Sequence, residues 1–149
     1  MAEKVTKLSE HFTFEELTAS EIAVRNGIDN VPDPTSLDNL KRLAEFLEKV
    51  RTLFNQPIHI NSAYRSLRVN NLLGSKPTSD HVKGCAADIV IPSSGSPDQV
   101  IRKIMASDLP YKQCIREFDR WVHISIPDKG VDGKRQNLII DASGTRIYE

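Results

Sequence analysis

Cysteine is scarce in this chain, with only Cys85 and Cys114 among 149 residues. One pair cannot build the disulfide framework of a small secreted scaffold, so the expectation is two free thiols made in a reducing compartment. No apolar run approaches the length that spans a membrane. The start, Met1-Ala2-Glu3-Lys4-Val5-Thr6-Lys7, has none of the apolar stretch of a signal peptide. Neither sign of charge predominates, because 20 Lys and Arg balance 20 Asp and Glu. No global field therefore draws in nucleic acid or an anionic membrane, and no basic run is interleaved with aromatics. Internal repeats and low-complexity segments are absent as well, and no second domain is expected within these residues.

What is present fits one domain over residues 1–149, large enough to bury a core without disulfides. Hydrophobic residues make up 39% and charged residues 27%, the balance of a globular protein. Thr13-Phe14-Glu15-Glu16 opens a short helix with capping-box chemistry, and Ser20 to Gly27 reads as another, stopped by its glycine. The two prolines of Asn30-Val31-Pro32-Asp33-Pro34-Thr35 predict a loop. From Ser36, Leu37, Leu40, Leu43, Ala44, Leu47, Val50 and Phe54 recur at helical spacing, with charged residues covering the other side.

Strands are expected at Pro57–Tyr64, Ala86–Ile91, Gln113–Phe118 and Trp121–Ile126, with a terminal hairpin around Asp141-Ala142-Ser143-Gly144. Ser66 to Leu73 reads as a short helix and Lys76 to Lys83 as a polar loop. Ser96-Pro97-Asp98-Gln99 starts a further helix with an N-cap serine, proline at its first position and a capping-box glutamine. Helices early and strands late predict an α+β fold, with helices on one face of an antiparallel sheet.

The chemistry concentrates in Ser79-Asp80-His81-Val82-Lys83-Gly84-Cys85-Ala86-Ala87-Asp88 and in Trp121-Val122-His123. Two imidazoles and one carboxylate hold Zn²⁺ with three protein ligands and leave a fourth position for water. Strand alternation tests this assignment. Val122, Ile124 and Ile126 share the core face, which turns His123 outward with Trp121 and Ser125. Ala87, Ile89 and Ile91 likewise face the core, so Asp88 comes out on the same side as His123. Gly84 permits the tight turn that returns His81 to Asp88. Cys85 lies among these residues, but a closed four-ligand site would forbid chemistry, so it is expected to pack as a small hydrophobe.

Ser62-Ala63-Tyr64-Arg65-Ser66, Asn70, the run Ser79-x-His81-x-x-Gly84-x-Ala86-Ala87-Asp88 and Trp121-Val122-His123 together resemble the zinc D-Ala-D-Ala carboxypeptidase group. That group includes phage endolysin peptidases and shares its fold with the hedgehog signalling domain. Leu8-Ser9-Glu10-His11-Phe12 and Asn30-Val31-Pro32 resemble its short phage and prophage members, so the likeness covers essentially the whole chain.

The resemblance implies one Zn²⁺ ion held by His81, Asp88 and His123. It implies an acidic general base shortly before the last histidine, an arginine at Arg65 that steadies the substrate, and supporting or substrate-binding roles for Ser79 and Asn70. Glu117 is the expected base and Asp119 its rival, at a position where related chains often carry glycine. A two-residue turn at Asp119-Arg120 would point Glu117 into the core. A three-residue loop would pair it with Trp121 on the His123 side, and this is expected, because burying an unpaired carboxylate is costly. Trp121 is a candidate for substrate packing. His59 and His11 have no such support and read as structural residues.

The function implied is a zinc peptidase cutting the stem peptide of bacterial peptidoglycan, as a carboxypeptidase or an endopeptidase in phage lysis or in a virion. It would be a monomer unless part of a virion, made in the host cytoplasm, and would reach the wall through a holin, lysis or the particle itself. The alternative is a non-catalytic zinc-binding phage component that retains the fold.

Overall fold

The computed structural model describes residues 6–148; residues 1–5, most of the Met1–Lys7 start, and residue 149 lie outside the described residues. Two short helices, α1 (Phe14–Thr18) and α2 (Glu21–Arg25), come first. At each start a side chain takes one N–H: Thr13 accepts from the Glu16 N–H, which is one half of the expected capping box, and Ser20 accepts from the Ala23 N–H.

The long helix α3 (Pro34–Phe54) begins two residues earlier than the proline-based reading placed it. Asp33 accepts the Ser36 N–H at 2.7 Å, and Pro34 occupies a first-turn position whose N–H needs no partner. Asn55, left-handed at φ 53°, ends the helix. Leu40, Leu43, Leu47 and Val50 are completely buried along one stripe. Each such side chain contributes about 1.5–3 kcal/mol by leaving water.

Six strands follow: β1 (His59–Ser62), β2 (Ala86–Val90), β3 (Gln113–Glu117), β4 (Trp121–Ser125), β5 (Gln136–Asp141) and β6 (Gly144–Ile147). They form one sheet in the order β1-β2-β4-β3-β5-β6. The α+β class stands, but the sheet is not antiparallel throughout, because β3 and β5 run parallel. The cause is topological. Both edges of β4 are taken by β2 and β3, so the returning chain must pair with the far edge of β3. A strand that reverses the direction of β4 there runs the same way as β3. The expected terminal hairpin is β5–β6.

Helix α3 and helix α6 (Pro97–Met105) bury their apolar stripes against Ala87, Ile89, Val122 and Ile124 of the sheet. The Ser96–Gln99 capping box of α6 forms in both directions. Arg135 donates to the carbonyls of Ser107 at 2.6 Å and Leu109 at 3.0 Å, tying the chain just beyond α6 to the entry of β5. Among the described residues no helix is long and apolar enough to cross a membrane.

Two short helices lie beside the sheet: α4 (Leu67–Leu72) and α5 (Asp80–Lys83). The second corrects the expectation of a polar loop from Lys76 to Lys83. Four residues carry no readable hydrophobic period. Ser79 starts the turn by accepting the His81 N–H at 3.2 Å, and Gly84 ends it at φ +79°.

Candidate metal centre

Strand register builds two of the three candidate ligands into one site. Asp88 pairs directly with His123 across β2 and β4, and alternation turns both away from the α3 and α6 side. The third, His81, projects from α5 toward them. His81 Nε2 lies 3.3 Å from Asp88 Oδ1, and His123 Nδ1 lies 3.0 Å from the same oxygen. The two rings meet edge to face, 5.1 Å between centroids. One ligand atom from each residue falls within 4.8 Å of the others, and all three residues are buried.

The orientation of His81 is fixed from behind. Its Nδ1 sits 2.6 Å from the Ala63 carbonyl oxygen, which can only accept, so Nδ1 carries the proton and Nε2 is left with a free lone pair. That Nε2 is completely enclosed and has no hydrogen-bond partner. A buried polar atom without a partner is costly, and here it points at a carboxylate and a second imidazole. Two nitrogens and one carboxylate oxygen are the donor set of a zinc site with an open position. The residues present fit the ion.

The electrostatics agree. Burial pushes His81 below the ordinary imidazole value, which keeps it neutral as a ligand must be. Burial alone would raise Asp88, but the imidazoles of His81 and His123 packed against its oxygen outweigh it and hold the carboxyl well below the usual range. Burial would lower His123, and its hydrogen bond to Asp88 overrides this and raises it. The Asp88 carboxylate thus favours a positive charge beside it, which a bound cation would supply in place of a proton on His123.

Glu117 and Arg65 border this set. The β3–β4 register pairs Glu117 with Trp121 and Ile115 with His123, so the loop Phe118-Asp119-Arg120 has the three-residue form that brings Glu117 to the His123 side. Phe118 and Asp119 both adopt φ +52° to make that turn. The Trp121 indole N–H donates to Glu117 Oε2 at 2.6 Å. Burial raises Glu117 above the ordinary carboxyl value and the Asp88 charge adds to this, while His123, Trp121 and Arg65 offset part of it. Arg65 Nη2 lies 3.8 Å from Asp88 Oδ2, and its side chain is 12% exposed. Its backbone N–H also donates to the His81 carbonyl at 3.1 Å, linking the β1–α4 connection to α5.

Asp119 is an exposed turn residue, and among the described residues it forms no ion pair or hydrogen bond with the three ligands. It lines the cleft at Trp121. Asn70 is completely buried, and its amide donates to the Lys76 carbonyl at 2.8 Å, bracing the segment leading to α5 as a supporting residue. Ser79 caps α5 with its hydroxyl. Cys85 and Cys114 are free and buried, and Cys85 packs in the core. His11 pairs with Glu48 at 2.6 Å, and His59 is exposed on β1.

Two contributors escaped the sequence reading. The Ala63 carbonyl orients His81, and a backbone oxygen carries no residue-type signal. Lys112 clasps both oxygens of Asp80 at 2.9 and 3.0 Å, holding the first residue of α5. Thirty-two positions separate that pair, so only the fold reveals it.

Two clefts open at residues that border the three candidate ligands. One of about 720 Å³ lies at Arg65 and is lined by Ser20, Ile22, Val24, Ser62 and Leu73. The other, of about 480 Å³, lies at Trp121 and includes Phe118, Arg120, Ile139 and Ile140. Residues 10–125 match the family model described as Peptidase M15. No individually curated protein matches the chain.

Proposed function

The chain belongs to the M15 peptidases, and from that premise we propose that it is a zinc peptidase acting on the stem peptide of bacterial peptidoglycan, as a D,D-carboxypeptidase or an endopeptidase. The observation that carries the metal is the enclosed, partnerless His81 Nε2 facing Asp88 and His123. The family is zinc-dependent, and the donor types suit that ion. Bound Zn²⁺ would lower the pKa of water toward about 7 and polarise the scissile carbonyl.

The remaining work falls to the chain's own residues. Glu117 takes a proton from the attacking water as its oxygen bonds to the carbonyl carbon. It returns that proton to the amine nitrogen as the C–N bond breaks. Its desolvated position suits a base, because burial moves its affinity for protons toward the working pH. Arg65, always charged and largely buried, offers N–H donors to the oxygen on which negative charge develops. The Ala63 carbonyl keeps His81 in the tautomer that presents Nε2. The clefts at Arg65 and Trp121 would accommodate peptide on the two sides of the reacting bond.

The stem-peptide substrate and a role in phage lysis or in a virion rest on the likeness to short phage and prophage peptidases. The protein would work as a monomer unless built into a particle. The test is dye release from labelled, purified peptidoglycan by the zinc-loaded protein, by the chelated protein and after zinc is returned. Release that stops on chelation and resumes with zinc is expected. Release that persists after complete zinc removal sinks the metal mechanism. A zinc-loaded protein that releases nothing, and leaves free D-Ala-D-Ala intact, favours the non-catalytic zinc component instead.

A further inference from the structure

The contact between Trp121 and Glu117 bears on which carboxylate oxygen can react. Glu117 ends β3 and Trp121 begins β4, as a direct cross-strand pair at the mouth of the three-residue turn. The Arg120 N–H closes that turn onto the Glu117 carbonyl at 3.0 Å, so the backbone of both residues is set. A glutamate side chain still rotates about three bonds, and strand pairing does not fix its carboxylate. The indole N–H does, at 2.6 Å from Oε2.

We propose that Trp121 is the positioning residue for Glu117, its indole N–H holding Oε2 so that Oε1 alone takes and returns the proton. This rests on the reading of Glu117 as general base.

The chemistry of indole makes it suited to the task. Its nitrogen is a donor only and neither accepts nor surrenders a proton in the relevant range. Oε2 is therefore committed as an acceptor through the cycle, while Oε1 is left to exchange the proton. A hydroxyl or imidazole in the same place would compete as a donor, an acceptor or a rival base. The bond also holds a half-buried carboxylate beside apolar Ile140, its partner in β5, where a free one would be poorly solvated. The rest of the indole lines the cleft with Phe118, their rings 6.2 Å apart, a placement that also suits a platform for substrate. The two roles differ in what they change. A platform binds substrate, whereas a positioning donor acts on the proton transfer.

The experiment uses the full chain loaded with zinc and a soluble stem-peptide fragment as substrate. Trp121→Phe removes the donor. A second variant carries 3-benzothienylalanine at position 121, with sulfur in place of the N–H and nearly the same shape, which guards against a packing artefact in the first. Zinc stoichiometry is measured on each. The expected result is a fall in kcat of about tenfold or more, with KM within about twofold and zinc content unchanged. In a Glu117→Gln background, either change at position 121 should then add no further loss. Full kcat in the benzothienyl variant, or a raised KM with kcat intact, overturns the positioning role and leaves the base in place. Undiminished activity of Glu117→Gln alone overturns the reading of Glu117, and with it the role of Trp121.

Discussion

Gly84→Ala tests whether the close seating of α5 on α3 fixes the metal ligand that α5 carries. Gly84 has φ +79°, and its N–H closes α5 onto the carbonyls of Asp80 and His81. An L-residue in that backbone region costs about 1–2 kcal/mol. Space is a second obstacle, because a Cβ there would lie 2.5 Å from the Ser36 carbonyl oxygen and 3.2 Å from Leu40 Cγ. Ser36 belongs to the first turn of α3, and its hydroxyl donates to the Val82 carbonyl, so it is held against α5 rather than free to retreat. Forcing a methyl into such a contact costs about 1–3 kcal/mol more. The total, about 2–5 kcal/mol, is a large share of the roughly 5–15 kcal/mol that typically holds a domain folded.

Gly74→Ala is the matched control. Its φ is +72°, but a Cβ there meets nothing within 4 Å, so only the backbone cost of about 1–2 kcal/mol applies. Urea unfolding of the metal-free proteins reads the difference, with the Gly84 variant melting at the lower midpoint. Zinc affinity reads the functional consequence. Lifting α5 from α3 moves His81, so the Gly84 variant should bind zinc more weakly than either the control or the parent. If both variants lose the same stability and bind zinc equally, the Ser36 contact is not what seats α5, and the reasoning fails.

Glu117→Gln should lower turnover by roughly 10²–10⁴-fold while leaving zinc binding intact, whereas Asp119→Ala should stay within about twofold of the parent; steady-state kinetics with the opposite ranking would make Asp119 the base. In the metal-free protein, NMR titration of the Glu117 carboxyl should give a midpoint above 4.5, because burial disfavours its charge. The sign for stability follows: a carboxyl raised by the fold favours folding at pH below its unfolded value and loses that contribution as pH rises through its folded value. Bound zinc, a nearby cation, should move the midpoint down, and a midpoint at or below 4.5 without metal would contradict the burial argument. Asp88→Asn keeps the shape but deletes the charge, and should weaken zinc binding by more than the roughly 10–100-fold typical of losing an outer partner; a chelator competition showing unchanged affinity would remove Asp88 from the ligand set.

Much of the site was legible because it depends on local regularities. Alternation along Ala86–Ile91 and Trp121–Ile126 decides which side chains leave the core, and it turned Asp88 and His123 outward together. Caps at Thr13, Ser20 and Ser96 mark helix starts because their side chains bond N–H groups only three residues away. Even the orientation of Glu117 followed from the cost of burying a carboxylate in the core. The local rules failed where they were ambiguous. Pro34 signals a loop or a first helical turn equally well, and four residues are too few to reveal α5.

Sequence alone therefore determined the candidate ligand set, the strand faces that Asp88 and His123 occupy and the likeness to zinc peptidases. Tertiary structure decided what depends on distance between remote segments: the Asp88 oxygen within reach of both imidazoles, the Ala63 carbonyl behind His81, and the parallel pairing of β5. It also set Trp121 on Glu117 and buried Asn70 beneath the segment that leads to α5. The physical reason is that side-chain periodicity is written into neighbouring residues, whereas a hydrogen bond through space is settled only when separate strands and helices pack.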